Sequence, residues 1–279
     1  MHYVIIGANG MLGSDLASMC VAEGLPTLGL DYPEVDITDP ASLGTAIPTH
    51  SIVVNCAAYT RVDEAESDRD RAFLVNGAGA GNVAEACLKK RCRLLHLSTD
   101  YVFNGNADLP YREEDPTEPL NVYGESKLAG EEAVREAGGD ALVVRVQSLF
   151  GANGRNFVRT IMHRLLDSGN DVRVVQDQVC SPTYTKHLAS AILSLIEAEV
   201  AGIVHVCASG SCSWHGFAVR IAEHVNPGSV VTPVCSSEFP TPARRPARSV
   251  MDTSRFESVT GRRMPTWEEG LREYLEEVA

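Results

Sequence analysis

Tyr3-Val4-Ile5-Ile6-Gly7-Ala8-Asn9-Gly10-Met11-Leu12-Gly13 decides the fold. Four apolar residues stop at a glycine, as a strand buried on both faces of a parallel sheet does. Glycines then occupy positions one, four and seven of Gly7 to Gly13. That pattern gives a tight turn and a close approach of backbone to a pyrophosphate. The next stretch, Ser14 to Cys20, reads as a helix whose N-terminus faces the phosphates. The first two glycines are three apart rather than two. The context of a strand before and a helix after still reads as a dinucleotide turn.

Working outward, a second strand over Pro26–Leu30 ends at Asp31, 18 residues past Gly13. A carboxylate there accepts hydrogen bonds from adenosine ribose hydroxyls and disfavours a 2'-phosphate. Asp36 follows as a candidate for the adenine edge or simply as part of the helix start at Asp39-Pro40. Ser51 to Ala58 is a third buried strand, and its small C-terminal residues admit a flat cofactor. Thr60 to Arg71 is dense in mixed charge and reads as a solvated helical face. Phe73 to Leu88 reads as one long helix rich in Ala and Gly. A fourth strand, Arg93–Leu97, delivers Ser98-Thr99-Asp100 at its carboxyl end, the edge where open parallel sheets bind ligands. A helix over Leu120–Gly138 and a fifth strand over Ala141–Val146 follow.

This alternation predicts an α/β doubly wound parallel sheet (a Rossmann fold) over residues 1–150, the nucleotide-binding domain. Residues 151–279 read as a smaller, mainly substrate-binding domain, with about 172–206 returning to the sheet domain. No internal repeat is present.

The helix at Leu120 carries Tyr123 and Lys127, four apart and therefore on one face. A free tyrosine, with a pKa of about 10, is a poor acid-base catalyst at neutral pH. A nearby ammonium favours the phenolate and lowers that pKa. The pair is a candidate proton donor for a carbonyl undergoing reduction.

Composition narrows the partners. Net charge is -13, from 37 acidic and 24 basic residues, with no Lys/Arg-rich run, which argues against nucleic acid. The 8 cysteines show neither C-x-x-C nor zinc spacing, so reduced, mostly buried thiols are expected, with no metal. The N-terminal stretch lacks the basic region of a signal peptide. No apolar run reaches the roughly 18 residues of a membrane span. A cytoplasmic protein with no membrane partner is expected.

Several blocks together resemble the dTDP-4-dehydrorhamnose reductase family of extended short-chain dehydrogenases/reductases. They are Gly7 to Gly13, Val54 to Thr60, Val62 to Glu66, Leu97-Ser98-Thr99-Asp100-Tyr101-Val102-Phe103 and Leu120 to Glu131. Asn156-Phe157, Asp177-Gln178, Pro182-Thr183, Ser213-Trp214-His215 and Pro240 to Pro246 continue the match, which covers nearly the whole chain. The resemblance implies reduction of the C4 keto group of a dTDP-linked deoxyhexose by NADPH or NADH. It implies cofactor contacts at Gly7, Gly10, Met11, Leu12, Gly13, Asp31, Asp36, Ile37, Ala57, Ala58, Tyr59, Thr60, Tyr123 and Lys127. Tyr123 would be the proton donor, Lys127 would hold the nicotinamide ribose, and Thr99 would donate to the same carbonyl oxygen. Thr99, Asp100, Ser148, Asn156 and Arg245 would face the sugar nucleotide. Arg244, Arg245 and Arg248 are candidates for the diphosphate.

Two positions depart from the family pattern. Ser148 stands where a tryptophan near the sugar is usual, removing an aromatic platform. Lys186 and His187 stand where some members carry an acid that holds a dimer-bridging metal. No metal is therefore expected, and a homodimer loses part of its support. Two rivals share the resemblance. One is another nucleotide-sugar reductase or epimerase. The other is a non-catalytic regulatory subunit like the β subunit of methionine adenosyltransferase, against which the presence of Thr99, Tyr123 and Lys127 argues.

Overall fold

Neighbouring residues on each central strand serve opposite cores. The computed structural model describes residues 2–167 and 172–278. In it β1 (Tyr3–Ile6), β2 (Thr27–Leu30), β3 (Ile52–Asn55), β4 (Arg93–Thr99) and β5 (Ala141–Val146) join the strand Gly202–His205 in one sheet. All its pairings are parallel. Val4, Val53, Leu94 and Val143 pack on one face with α2 (Pro40–Ala46), α5 (Gly79–Lys90) and α6 (Val122–Ala137). Ile5, Val54, Leu95 and Val144 pack on the other, with α1 (Met11–Ala22) and the helix Thr185–Glu197. Covering both faces is why these strands are continuously apolar rather than alternating.

The strand order, from the edge Gly202–His205, is β5-β4-β3-β1-β2. The chain moves one way from β1 to β2 and the other way from β3 onward. The reversal lies between β1 and β3, and a crevice opens there beyond their carboxyl ends.

Between β3 and β4 the charged helical face expected over Thr60–Arg71 is split in two, and the long helix expected over Phe73–Leu88 is interrupted near its start. Two short helices, α3 (Val62–Ala65) and α4 (Arg69–Phe73), precede a π-helical turn at Leu74–Ala78, and α5 follows. The inserted turn redirects one side chain, Asn76, inward, where it is 1% exposed.

A further apolar cluster is built around Phe150, Tyr184, Phe217, Trp267 and Tyr274. The return to the large sheet begins later than position 172. Val172–Val175 pairs with Val231–Val234 in a separate two-stranded sheet. The helix Thr185–Glu197 and the strand Gly202–His205 make the return. An alternating apolar tetrapeptide fits either sheet, and only its distant partner distinguishes them. Among the described residues no helix is long and apolar enough to cross a membrane.

Candidate active site

The phosphate turn is shaped by close backbone contacts. Gly7 has φ +81°, and a Cβ there would lie 2.8 Å from the Ala57 nitrogen beyond β3. A Cβ at Gly13 would lie 2.1 Å from the Gly7 carbonyl oxygen. Only glycine fits either place, so β1, β3 and the start of α1 draw together around the crevice. Gly10 is the N-cap of α1 and offers no side-chain cap, and the first turn, with Met11 and Leu12, holds no acid. Its leading amides suit an anion. At the end of β2, Asp31 accepts from the Asn9 amide at 2.8 Å and the Tyr32 amide at 2.9 Å. The carboxylate thus lies beside the turn, where a ribose would end. A dinucleotide fits this cradle.

Asp36 is occupied locally. One carboxylate oxygen accepts from the Thr38 amide at 2.9 Å and the Thr38 hydroxyl at 2.7 Å. The Thr38 hydroxyl and amide hold its carboxyl below the usual range. Asp39, not Asp36, caps α2 through the Ala41 amide. Ile37 is buried, and its carbonyl accepts from Asn82 Nδ2 at 3.0 Å.

Ala57, Ala58, Tyr59 and Thr60 leave β3 as a partly open loop. Asn55 Oδ1 accepts from the Ala57 amide at 3.2 Å. Asn76 fixes the Tyr59 backbone at both its N–H and its C=O. The same Nδ2 donates to Ser126 Oγ at 2.9 Å, and Ser126 donates to the Tyr123 carbonyl at 2.8 Å. The loop is therefore tied to the helix that carries Tyr123 and Lys127.

Asn121 caps α6, its Oδ1 accepting from the Gly124 amide at 2.8 Å. Gly124 lets α6 lie against the turn after β4, since a Cβ there would be 2.2 Å from the Tyr101 carbonyl oxygen. Thr99, at the end of β4, and Tyr123, in the first turn of α6, both lie at this crossing, and the Thr99 hydroxyl acts on the Tyr123 phenol. Thr99 Oγ1 also donates to Asp100 Oδ1 at 3.1 Å and accepts from the Tyr101 amide at 3.2 Å. Lys127 is 2% exposed and donates to the Leu97 carbonyl at 2.6 Å.

The electrostatics differ from the reading of the spacing alone. Burial pushes the Tyr123 phenol up to about 12, and the Thr99 hydrogen bond opposes this only partly. Burial pulls the Lys127 ammonium down to about 8, with the Glu131 carboxylate acting the other way. The ammonium is turned to the Leu97 carbonyl, and desolvation outweighs any help it gives the phenol. Tyr123 is held protonated at neutral pH, which is the form a proton donor needs.

On the substrate side the predicted residues separate. Asp100 lies behind Thr99 at 2% exposure, with Oδ2 accepting from Gln147 Nε2 at 2.9 Å. That nitrogen also donates to Ser249 Oγ at 2.7 Å, and Gln147 Oε1 accepts from the Ser181 amide at 2.7 Å. Gln147 thus ties Asp100 to the Ser181 and Ser249 segments, and the Asp100 carboxylate faces this network rather than open space. Burial raises its carboxyl to about 6. Ser148, at φ +47°, lines a narrow crevice with Tyr101, Gln178, Cys180 and Trp214. Trp214 supplies an aromatic wall close to the position where Ser148 has none.

Asn156 is a helix cap. Its Oδ1 accepts from the Arg159 amide at 3.0 Å, and its Nδ2 donates to the Gly151 carbonyl at 2.8 Å. Both ends of the amide are engaged within the fold, at 8% exposure. Arg245 is likewise committed, in a bidentate pair with Asp63 at 3.1 and 2.8 Å. Arg248 differs, because its buried Nε has no hydrogen-bond partner among the described residues. Arg244 is exposed.

Sequence reading missed Asn76, Gln147 and Glu131. Asn76 is a polar residue in an Ala/Gly-rich helical stretch, and Gln147 follows a strand that is apolar but for Arg145. Glu131 repeats the four-residue step of Tyr123 and Lys127. Each of these was a visible signal.

The RmlD substrate binding domain family model matches residues 1–279. Spore coat polysaccharide biosynthesis protein SpsK of Bacillus subtilis is 39% identical over 276 residues, covering 98% of this chain and 96% of the relative. The dTDP-4-dehydrorhamnose reductase of Mycolicibacterium smegmatis is 40% identical over 274 residues, covering 97% and 84%. The crystal structure of dTDP-4-dehydrorhamnose reductase from Bacillus anthracis in complex with NADP superposes with a TM-score of 0.94 at 39% identity. It covers 99% of each chain.

Proposed function

The chain belongs to the RmlD substrate binding domain family, which includes its dTDP-4-dehydrorhamnose reductase relatives, and from that premise we propose that it reduces the C4 keto group of dTDP-4-dehydro-L-rhamnose to give dTDP-L-rhamnose. NADPH or NADH, when bound, supplies the hydride. The observation that carries the reading is the placement of Thr99, at the carboxyl end of β4, and of Tyr123 and the buried Lys127, one turn apart on α6, with Lys127 bonded back to the Leu97 carbonyl of β4.

The Gly7–Gly13 turn and the head of α1 hold the cofactor's pyrophosphate, and Asp31 its adenosine ribose. Ala57 to Thr60 form the wall beside the nicotinamide half. Tyr123 hydrogen-bonds the keto oxygen and passes its phenolic proton to the developing alkoxide, a stronger base than the phenolate left behind. Thr99 holds the Tyr123 hydroxyl and adds an oxyanion contact when its own proton turns toward the substrate. Lys127 stabilises the phenolate as it forms. Arg248 replaces Arg245 as the arginine for the diphosphate, because Arg245 is held by Asp63 whereas the Arg248 Nε is unpaired.

The test is oxidation of NADH or NADPH on addition of dTDP-4-dehydrorhamnose, run beside other nucleotide-linked keto sugars. Turnover restricted to another keto sugar would move the assignment of the sugar, with the Ser148 crevice as its cause. No oxidation with any of them would remove the enzyme reading.

A further inference from the structure

Behind the tyrosine and lysine lies a buried charge cluster that the reaction as described does not use. Tyr123, Lys127 and Glu131 succeed one another at four-residue steps on α6, so they lie along one face and run inward from the crevice. Glu131 is 5% exposed. Arg145 on β5 grips it with two bonds, Nε to Oε1 at 2.9 Å and an Nη to Oε2 at 2.8 Å. Ser98 on β4 donates to the same Oε1. Consecutive residues of β4 therefore hold the two members of the pair, the Leu97 carbonyl taking Lys127 and the Ser98 hydroxyl taking Glu131. Arg145 is braced on its far side by the Phe103 ring at 5.1 Å and by the Glu113 carbonyl at 3.4 Å.

We propose that Glu131 is a positioning residue that acts on the reaction through Lys127, as a fixed counter-charge one helical turn behind it. The proposal rests on the catalytic reading of Tyr123 and Lys127 given above. A buried ammonium with no carboxylate nearby sheds its proton. The other titratable groups facing Lys127 carry no charge to balance it. Burial keeps Cys56 beyond β3 protonated, pushing its thiol up to about 12. Burial, with Lys127 itself, keeps His96 on β4 neutral. Tyr123, on the same face of α6, is held as the phenol. His205, which meets Arg145 at 3.4 Å, is neutral as well, since burial and the Arg145 charge lower it to about 3. Of the groups named, Glu131 alone brings a negative charge to the ammonium.

Arg145 has a separate task. A lone buried carboxylate is costly, and the bidentate guanidinium offsets that cost and fixes the carboxylate in place. The cluster is thus a relay of position. β5 holds Arg145, Arg145 and Ser98 hold Glu131, and Glu131 keeps the Lys127 charge available beside Tyr123.

The chain has four lysines, Lys89, Lys90, Lys127 and Lys186, so the Lys127 signal in a protein labelled with 13C-lysine can be assigned by Lys→Arg replacement of the other three. The experiment follows that signal with pH in the full chain and in Glu131→Gln. The expected result is a Lys127 midpoint lower by roughly one pH unit in the variant. The alkaline limb of kcat/KM should move with it. Should Glu131→Gln fail to fold, the paired Glu131→Leu, Arg145→Met variant removes both charges without orphaning either and should shift the midpoint the same way. Arg145→Lys, which keeps a cation on Glu131, should leave it in place. A Lys127 midpoint unchanged in the variants lacking Glu131 overturns the proposal, because a merely structural pair would change stability and not the titration. The midpoint is read without turnover. Failure of the catalytic reading would instead appear as absent keto-sugar reduction with the shift intact.

Discussion

Asn76 holds both edges of the Tyr59 peptide, its Oδ1 accepting from the Tyr59 amide at 2.8 Å and its Nδ2 donating to the Tyr59 carbonyl at 3.0 Å. A side-chain amide in this position acts as a piece of strand, fixing the loop after β3 where it must lie flat against a cofactor. Asn76→Ala leaves both backbone groups and Ser126 to find other partners. We expect stability to fall by about 2–4 kcal/mol and the dissociation constant for the nicotinamide cofactor to rise about tenfold, a change of about 1.4 kcal/mol. Thermal melts and a fluorescence titration with NADH measure the two effects. A lower melting temperature with unchanged cofactor affinity would show that the loop holds its shape without the clamp.

Asn156 provides a test of a different kind, because its side-chain amide is engaged within the fold. As the N-cap of Phe157–Leu166 it is a stability residue. Asn156→Ala should cost about 1 kcal/mol, within the range of lost caps, and lower the melting temperature by about 2–4 °C. KM for the keto sugar should stay within about twofold of its original value, less than 0.5 kcal/mol. A several-fold rise in KM would return Asn156 to the sugar site.

These two asparagines show what a sequence read in order can and cannot reveal. The turn at Gly7 and Gly13 was legible because its constraint is local: strand, glycines and helix are contiguous, and a side chain at either glycine would collide with backbone. The Tyr123 and Lys127 pair was legible for the same reason, at one helical turn. Asn156 and Arg245 have polar side chains whose roles depend on distant partners. Tyr274 meets Asn156 from 118 positions away, and Asp63 meets Arg245 from 182. A motif marks such residues without saying whether they face a ligand or the fold. The same limit applies to Val172–Val175, whose apolar pattern is indifferent to which strand it joins. The direction of the tyrosine's pKa was lost because spacing places the ammonium near the phenol but does not report how deeply both are buried.

Asp100 imposes a pH dependence on stability. Burial raises its carboxyl to about 6, against about 3.9 in an unfolded chain. Between those values the folded protein binds more protons than the unfolded one, so this group's contribution favours folding below about pH 4 and is lost as pH rises through about 6. The contribution is of the order of 1–3 kcal/mol. In Asp100→Asn that component is absent. The melting temperature of the variant relative to the original protein should therefore improve steadily from pH 4.5 to pH 7. Parallel curves over that range would mean that the Asp100 carboxyl titrates at its ordinary value.

Tyr123→Phe removes the phenolic proton and little else, since the ring keeps its edge contact with Tyr101 at 5.9 Å. Turnover should fall by roughly 10²–10⁴-fold, with the cofactor dissociation constant nearly unchanged. Single-turnover rates with saturating keto sugar separate this from a binding defect. A variant of near-normal rate would exclude Tyr123 as the proton donor and leave Thr99 as the remaining hydroxyl at the crossing.

Asp31 governs the choice between the two nicotinamide cofactors. Its carboxylate is fixed by the Asn9 and Tyr32 amides, so its charge cannot swing away from the ribose. A 2'-phosphate brought to that place meets a like charge, and no arginine stands between Tyr32 and Asp39 to accept it. The Bacillus anthracis relative was crystallised with NADP at 39% identity, so the preference has to be measured on this chain. We expect kcat/KM with NADH to equal or exceed that with NADPH. Asp31→Ser, which removes the charge and keeps a hydroxyl acceptor, should move the ratio toward NADPH by about tenfold, equivalent to about 1.4 kcal/mol. A strong preference of the original protein for NADPH, unaltered by Asp31→Ser, would mean that the ribose end is read by groups other than this carboxylate. The head of α1 would then be the place to seek them, because its amides are the nearest donors to an added phosphate.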